Sequence, residues 1–409
     1  MGKSALILVM GFSFLFFLQG QNYYTANTEA FRNAMSYYDS TAIHEIALAG
    51  ANMACTEVYR EPSWRTGFSN ISYNGGVFNV TAVNTGSSQR VQITSTATLN
   101  EQNYSIAIVI GPRSFSQYAY WGTGVSGGGG QVYWETGDTV TGPMHTQGTL
   151  RTTGAPTFLG RTTALNGINS INTSPSGPVF GSSFQSGLSI PLVSGSLGKL
   201  DSTATANGYR LNATGGANLY IVFNANGTVT VRQPLATSTP ITQPLSTFAP
   251  NGVISINNGN IYVEGTVNGQ VTILANKSSG TVGGTVNITG NLTYASDPRT
   301  DPTQTSMLGI VAQNDIVIRD NSATQFTVMG SIYSATTGLV VQNLSTRPAG
   351  NLTLVGGLIG PILYATSNGG TGSGRRGYNL GIRYDTRFMN DAPPFYPTTG
   401  TYQILSWYE

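Results

Sequence analysis

Histidine is scarce in this chain, which holds two, His44 and His145. His145 lies in the motif GPMHTQG, with Asp138 seven residues before it. An imidazole and a carboxylate brought together can move a proton or hold a metal ion. No third ligand and no nucleophile stands at a telling spacing. Asp138 and His145 are therefore the candidate polar site, with closure of a β-corner as the simpler role. Asp297 and Asp301 share the loop SDPRTDPTQT (296–305) and could meet around Ca²⁺, although two carboxylates alone describe a solvated loop equally well. His44 sits beside Glu45 and reads as a surface or packing residue.

Other chemistries find less support. Carbohydrate-cleaving β-folds need clustered carboxylates, and acids total 17 in 409 residues. The glycine-rich stretches 125–130 and 369–374 lack a following Lys-Ser/Thr and a helix pattern, so no phosphate cradle is read there. Arg375, Arg376, Arg383, Asp385 and Arg387 gather with Tyr378, Tyr384 and Phe388 and are expected to form a closing cap, with an acidic partner as the alternative. No catalytic, cofactor-binding or metal-binding residue is assigned, and the chain is expected not to be an enzyme.

The elements that would position these residues divide sharply by composition. Charged residues are 9% of the chain, about a third of the usual share. The formal net charge of +2 gives no basic stripe, which argues against a nucleic-acid partner. Apolar residues make up 39% and cluster in short β-branched runs, unlike a disordered chain. The single cysteine, Cys55, can form no internal disulfide and is expected as a small buried residue on a helix.

That helix is expected over roughly 4–58. Its head is apolar: Ala5, Leu6, Ile7, Leu8, Val9, Phe12, Phe14, Leu15, Phe16, Phe17 and Leu18. Beyond Gln19, the residues Phe31, Met35, Tyr38, Ala42, Ile46, Ala49 and Met53 recur at helical spacing and should form the packed face. Pro62 ends the run. Three readings of 5–18 compete: a signal peptide cleaved near Gly20, a retained anchor short for a bilayer, and the apolar head of a pilin-type helix. The amphipathic continuation favours the third.

Residues 4–58 resemble the N-terminus of PilX-like minor pilins and pseudopilins of bacterial type IV pilus systems. The resemblance implies processing after Gly2, with Ile7 where main pilins carry a glutamate. That departure suits a minor or tip subunit. It also implies other pilin-like subunits as partners and an inner-membrane location before assembly.

After the helix, VFNVTAV, VQITSTATL and SIAIVIG (77–95 and 104–112) read as strands of a pilin-like α+β head over 61–124. ANLYIVFNANGTVTVR reads as a hairpin turning at Asn226-Gly227. An apolar–x–Gly–x–apolar pattern recurs around Gly265, Gly290, Gly330 and Gly356, spaced 25, 40 and 26 residues. Strands repeating at such intervals predict a parallel β-helix, a solenoid over 125–374, followed by a cap over 375–409. An antiparallel β-sandwich is the alternative. Residues 115–409 are similar to an uncharacterised bacterial surface-domain family joined to PilX-like N-termini, which implies a surface β-solenoid and transfers no catalytic residue. The chain thus reads as a mainly β cell-surface subunit with one long helix, serving assembly or adhesion, with its tyrosines available to surface glycans. The rivals are a secreted carbohydrate-active β-helix enzyme and a signal-peptide-bearing adhesin or matrix protein.

Overall fold

The computed structural model describes residues 2–85, 90–127, 130–192, 196–213, 216–278, 280, 282–321, 323–369 and 374–409. The glycine-rich stretches 125–130 and 369–374 lie partly outside them. Two compact units emerge. One holds the chain up to Gly111 with Tyr402–Glu409, and the other is Pro112–Thr401.

In the first unit a single helix, α1, runs Gly2–Arg60, 59 residues without a break. At 1.5 Å per residue it is about 88 Å long. Its packed face begins only at Ala42: Ala42, Ile43, Ile46, Ala47, Gly50, Ala51, Ala54 and Val58 are buried. Phe31, Met35, Tyr38 and Met53 are exposed, contrary to their helical spacing with Ala42 and Ile46. The helix's buried residues begin at Ala42, so a shared side before it has nothing to bury against. Alanines and Gly50 let the helix lie close on its sheet, and a Cβ at Gly50 would come within 2.6 Å of Ser95 Oγ and 2.7 Å of Phe78.

The sheet's strands are ordered Phe68–Tyr73, Gly76–Thr85, Arg90–Leu99, Gln102–Ser114 and Thr398–Tyr408. The pairings among the first four are antiparallel. Val91, Ile93, Ile106 and Ile108 alternate inward onto the helix's small residues. On sequence the last strand is expected in a cap. Its pairing beside Gln102–Ser114 instead returns the C-terminus to the unit with which the chain begins.

The second unit is built from parallel ladders. One inward column reads Tyr209, Ile254, Ile273, Ile310, Ile332, Leu358, Tyr120, Met144, Thr162 and Phe184, each paired with the next. A second reads Ile221, Val263, Ile288, Ile318 and Val341. A third reads Leu292, Val328, Leu354, Ile382, Val140, Phe158 and Phe180. These columns meet in one large core. Parallel pairing rules out the antiparallel sandwich for these strands.

The order of the columns shows how the chain is laid down. Tyr120 follows Leu358, so residues 120–186 continue a stack whose lower courses come later in sequence. The chain enters the ladder part-way, runs out to Phe184, and then restarts at the far end at Tyr209. Residues 112–124, grouped on sequence with the head, therefore pair within the second unit, because Tyr120 and Trp121 take Leu358 and Ile359 as partners. Tyr378–Arg383, expected in a terminal cap, is an internal course between Gly350–Ile359 and Thr139–Val140. Arg383 and Tyr378 thus do not close an end.

The expected hairpin turns at Gly227, whose φ is 81°, between paired Phe223 and Val229. Gly330 and Gly356 stack directly on one another at φ 143° and 141°, and a Cβ on Gly356 would meet the Gly330 carbonyl. Gly290 is not part of this stack. A register shift after Val263 sets Leu292 against Gly265 instead.

Candidate functional site

The first ladder has two faces, because successive side chains point to opposite sides of a strand. Its outward column is Arg210, Ser255, Leu274, Val311, Tyr333, Ile359, Trp121, His145 and Thr163. Much of this outer row is apolar because chain covers it. Helix α2, Ser196–Asn207, packs Leu197, Leu200 and Ala204 against Val253 and Leu274, and Phe395 and Tyr396 join the same cluster. Asp201 fixes the helix by accepting from both Arg210 Nε, at 3.0 Å, and Ser255 Oγ, at 2.6 Å.

His145 belongs to this covered row and is fully buried. Its Nδ1 lies 2.8 Å from Thr163 Oγ1 and its Nε2 2.9 Å from Gln147 Oε1. Burial holds its pKa below the usual imidazole range, although the bond to Gln147 pulls the other way. Gln147 Oε1 can only accept, so a neutral ring carries its proton on Nε2, and the Thr163 hydroxyl has Nδ1 at 2.8 Å and the Met144 carbonyl at 3.1 Å as its two acceptors. Gln147 Oε1 in turn accepts the Ile190 N–H at 2.6 Å, and Trp121 Nε1 donates to the Ile190 carbonyl at 3.0 Å. His145 is thus one link in a clamp on the segment that leads to α2.

Asp138 sits in a different set of partners. Its Oδ2 accepts the Glu135 N–H at 2.9 Å and its Oδ1 the Leu380 N–H at 3.2 Å. Burial pushes its pKa up to about 6, against the pull of those two N–H groups and the nearby Arg375. With both oxygens occupied, Asp138 ties the corner after Trp134–Glu135 to the neighbouring strand Tyr378–Arg383. It lines a pocket of about 400 Å³ with Glu135, Trp134, Tyr364 and Asn368. Glu135 is taken up by Ser367 Oγ at 2.5 Å and Arg375 Nη2 at 3.2 Å. Among the described residues Asp138 and His145 share no hydrogen-bond partner, so the geometry supplies no relay between them.

The loop acids are also occupied. Arg299 Nε donates to Asp297 Oδ1 at 2.9 Å and holds that carboxyl below its usual range. Asp301 accepts from Ser296 Oγ at 2.5 Å and Thr303 Oγ1 at 2.6 Å, which lowers its pKa too. Among the described residues no three His, Cys, Asp or Glu side chains come together as a metal site. Cys55 is half-buried, and burial raises its pKa.

The apolar head of α1 is the remaining candidate, and it is wholly open. Leu6 is 64% exposed, Ile7 70% and Phe16 70%. An 18-residue window of α1 has mean hydropathy 1.6, with none of it buried. By length and composition this helix can cross a membrane, as many signal sequences also can. Tyr23 and Tyr24, both exposed, fall about 30 Å along the axis from Ala5, the depth at which tyrosines favour a bilayer interface.

No family model and no curated protein matches the sequence. Among solved structures, the chain is similar to the competence-associated pilin ComZ from Thermus thermophilus, with 12% identity and a TM-score of 0.43. The alignment covers 90% of this chain and 97% of that one. That likeness is too slight to carry a role across, so the functional reading rests on the residues themselves.

Proposed function

We propose that this chain is a non-enzymatic, pilin-like subunit of the minor or tip type. Residues 5–24 of α1 would hold it in the inner membrane, and the same side chains would later pack against other such helices in a filament. The stacked ladders are read as a parallel β-solenoid, displayed outside the cell for assembly or adhesion. One observation carries the reading: the exposed apolar side chains at 6–18 stand on the same unbroken helix that packs the head from Ala42 onward. Cleavage near Gly20 would fall in mid-helix and discard the part built for lipid.

The test is fractionation of cells making the full chain. The expected result is recovery in the membrane fraction, resistant to alkaline extraction, with a variant lacking residues 5–18 released. Recovery of the full chain in the soluble periplasmic or secreted fraction would reject the anchor. It would favour the signal-bearing adhesin.

A further inference from the structure

A second cleft, of about 430 Å³, opens between Pro143, Met144, Arg113, Arg161 and the segment at Ile190 and Pro191. All of its lining belongs to the ladder unit. Tyr118 lines it, is only 4% exposed, and its hydroxyl has no hydrogen-bond partner among the described residues. A buried hydroxyl without a partner is an unmet bond and calls for a ligand atom or a water. Arg113 lies over the Tyr118 ring, 5.5 Å from its centroid. Arg113 and Arg161 both line the cleft with Tyr118, and burial raises the Tyr118 pKa while both arginines act to lower it.

Neither arginine is neutralised. Arg113 Nε donates to Gln117 Oε1 at 3.3 Å, and Arg161 Nη2 donates to Gln185 Oε1 at 2.7 Å. Among the described residues neither pairs with a carboxylate, and none lines the cleft. In a chain that is only 9% charged, two unpaired guanidiniums flanking one unsatisfied phenol are a distinctive arrangement. Both guanidiniums are steered by amides, which orients them without cancelling their charge.

We propose that this cleft binds the anionic group, carboxylate or sulfate, of a small polar ligand. Arg113 and Arg161 would take the charge, and the Tyr118 O–H would donate to one anion oxygen. Both arginines reach solvent, and the hydroxyls of Thr163, Ser189, Thr399 and Thr401 line the same cleft as further polar contacts for a ligand. The size suits a sugar-sized molecule better than a bare ion.

The full-length chain in uncharged detergent micelles would be titrated by calorimetry with acetate, sulfate, glucuronate and glucose at low ionic strength. Binding of at least one anion, and none of glucose, is expected. R113Q with R161Q should weaken it about tenfold or more, since charge-assisted bonds are the strong ones. Y118F should weaken it severalfold with an unchanged circular dichroism spectrum. Affinity should also fall as salt rises, a readout that needs no variant. Glucuronate binding well above acetate assigns the anion to a saccharide, and parity assigns it to the free ion. The proposal is overturned if glucose binds as tightly as glucuronate, if no anion binds, or if the folded arginine variant keeps full affinity.

Discussion

The two ends of α1 share one backbone and have opposite fates. Near the start, Leu6, Phe14 and Phe16 are more than 60% exposed. Near the end, Ile46, Ala47, Ala51 and Ala54 are completely buried. The larger side chains are thus the exposed ones. Each Leu or Phe left in water forgoes about 1.5–3 kcal/mol relative to burial. A stretch carrying many of them needs a second apolar phase, whether lipid or other helices. The packed end needs only its own sheet, and it is made of small residues so that the sheet can come near.

Several measurements would break or sharpen this contrast. Replacing both Phe12 and Phe16 by Arg should cost about 6 kcal/mol of membrane insertion, at about 3 kcal/mol for each central arginine. Thermal unfolding of the head should not move, and a drop in its melting temperature would erase the distinction between the two ends. Conversely, Ile46→Ala should cost the head about 3 kcal/mol, and Gly50→Leu about 1–3 kcal/mol through overpacking, with membrane recovery unchanged. Urea unfolding followed by circular dichroism reads both.

An effect of similar size belongs to the ladder unit alone. Asp138 has its folded pKa raised to about 6, above an ordinary carboxyl. The folded state therefore binds the extra proton between about pH 4 and 6. Stability from this group is full below that window and is lost as pH rises through 6, by on the order of 3 kcal/mol. The Asp138→Asn chain should lose that pH dependence, and carboxyl carbon shifts in NMR would report the midpoint directly. Smallest is Gly227→Ala in the hairpin turn at φ 81°, which should cost about 1 kcal/mol in an unfolding titration.

Much of this contrast was legible in the sequence, since α1 came out within two residues of its expected ends. The Asn226-Gly227 hairpin and the stacked Gly330 and Gly356 were legible too, because turn chemistry and backbone crowding are local. The packed face of α1 was misjudged at Phe31, Met35, Tyr38 and Met53. Periodicity records which residues share a side, not whether anything lies against it. The mid-ladder entry at Tyr120 was invisible for a related reason. Strand runs show that strands exist, but their partners lie more than two hundred residues away. The same blindness misplaced Tyr378–Arg383 as an end cap. Arg113, Tyr118 and Arg161 were passed over because they are spread along the sequence. Their one signal was that any arginine in so uncharged a body is a candidate.

The central claim is that the exposed end of α1 remains part of the working molecule. The most direct measurement is the N-terminal sequence and intact mass of the chain purified from cell envelopes. The account requires the mature protein to keep residues 3–20, so that Leu6 to Leu18 are present in the assembled form. A mature chain beginning near Gln21 would contradict it.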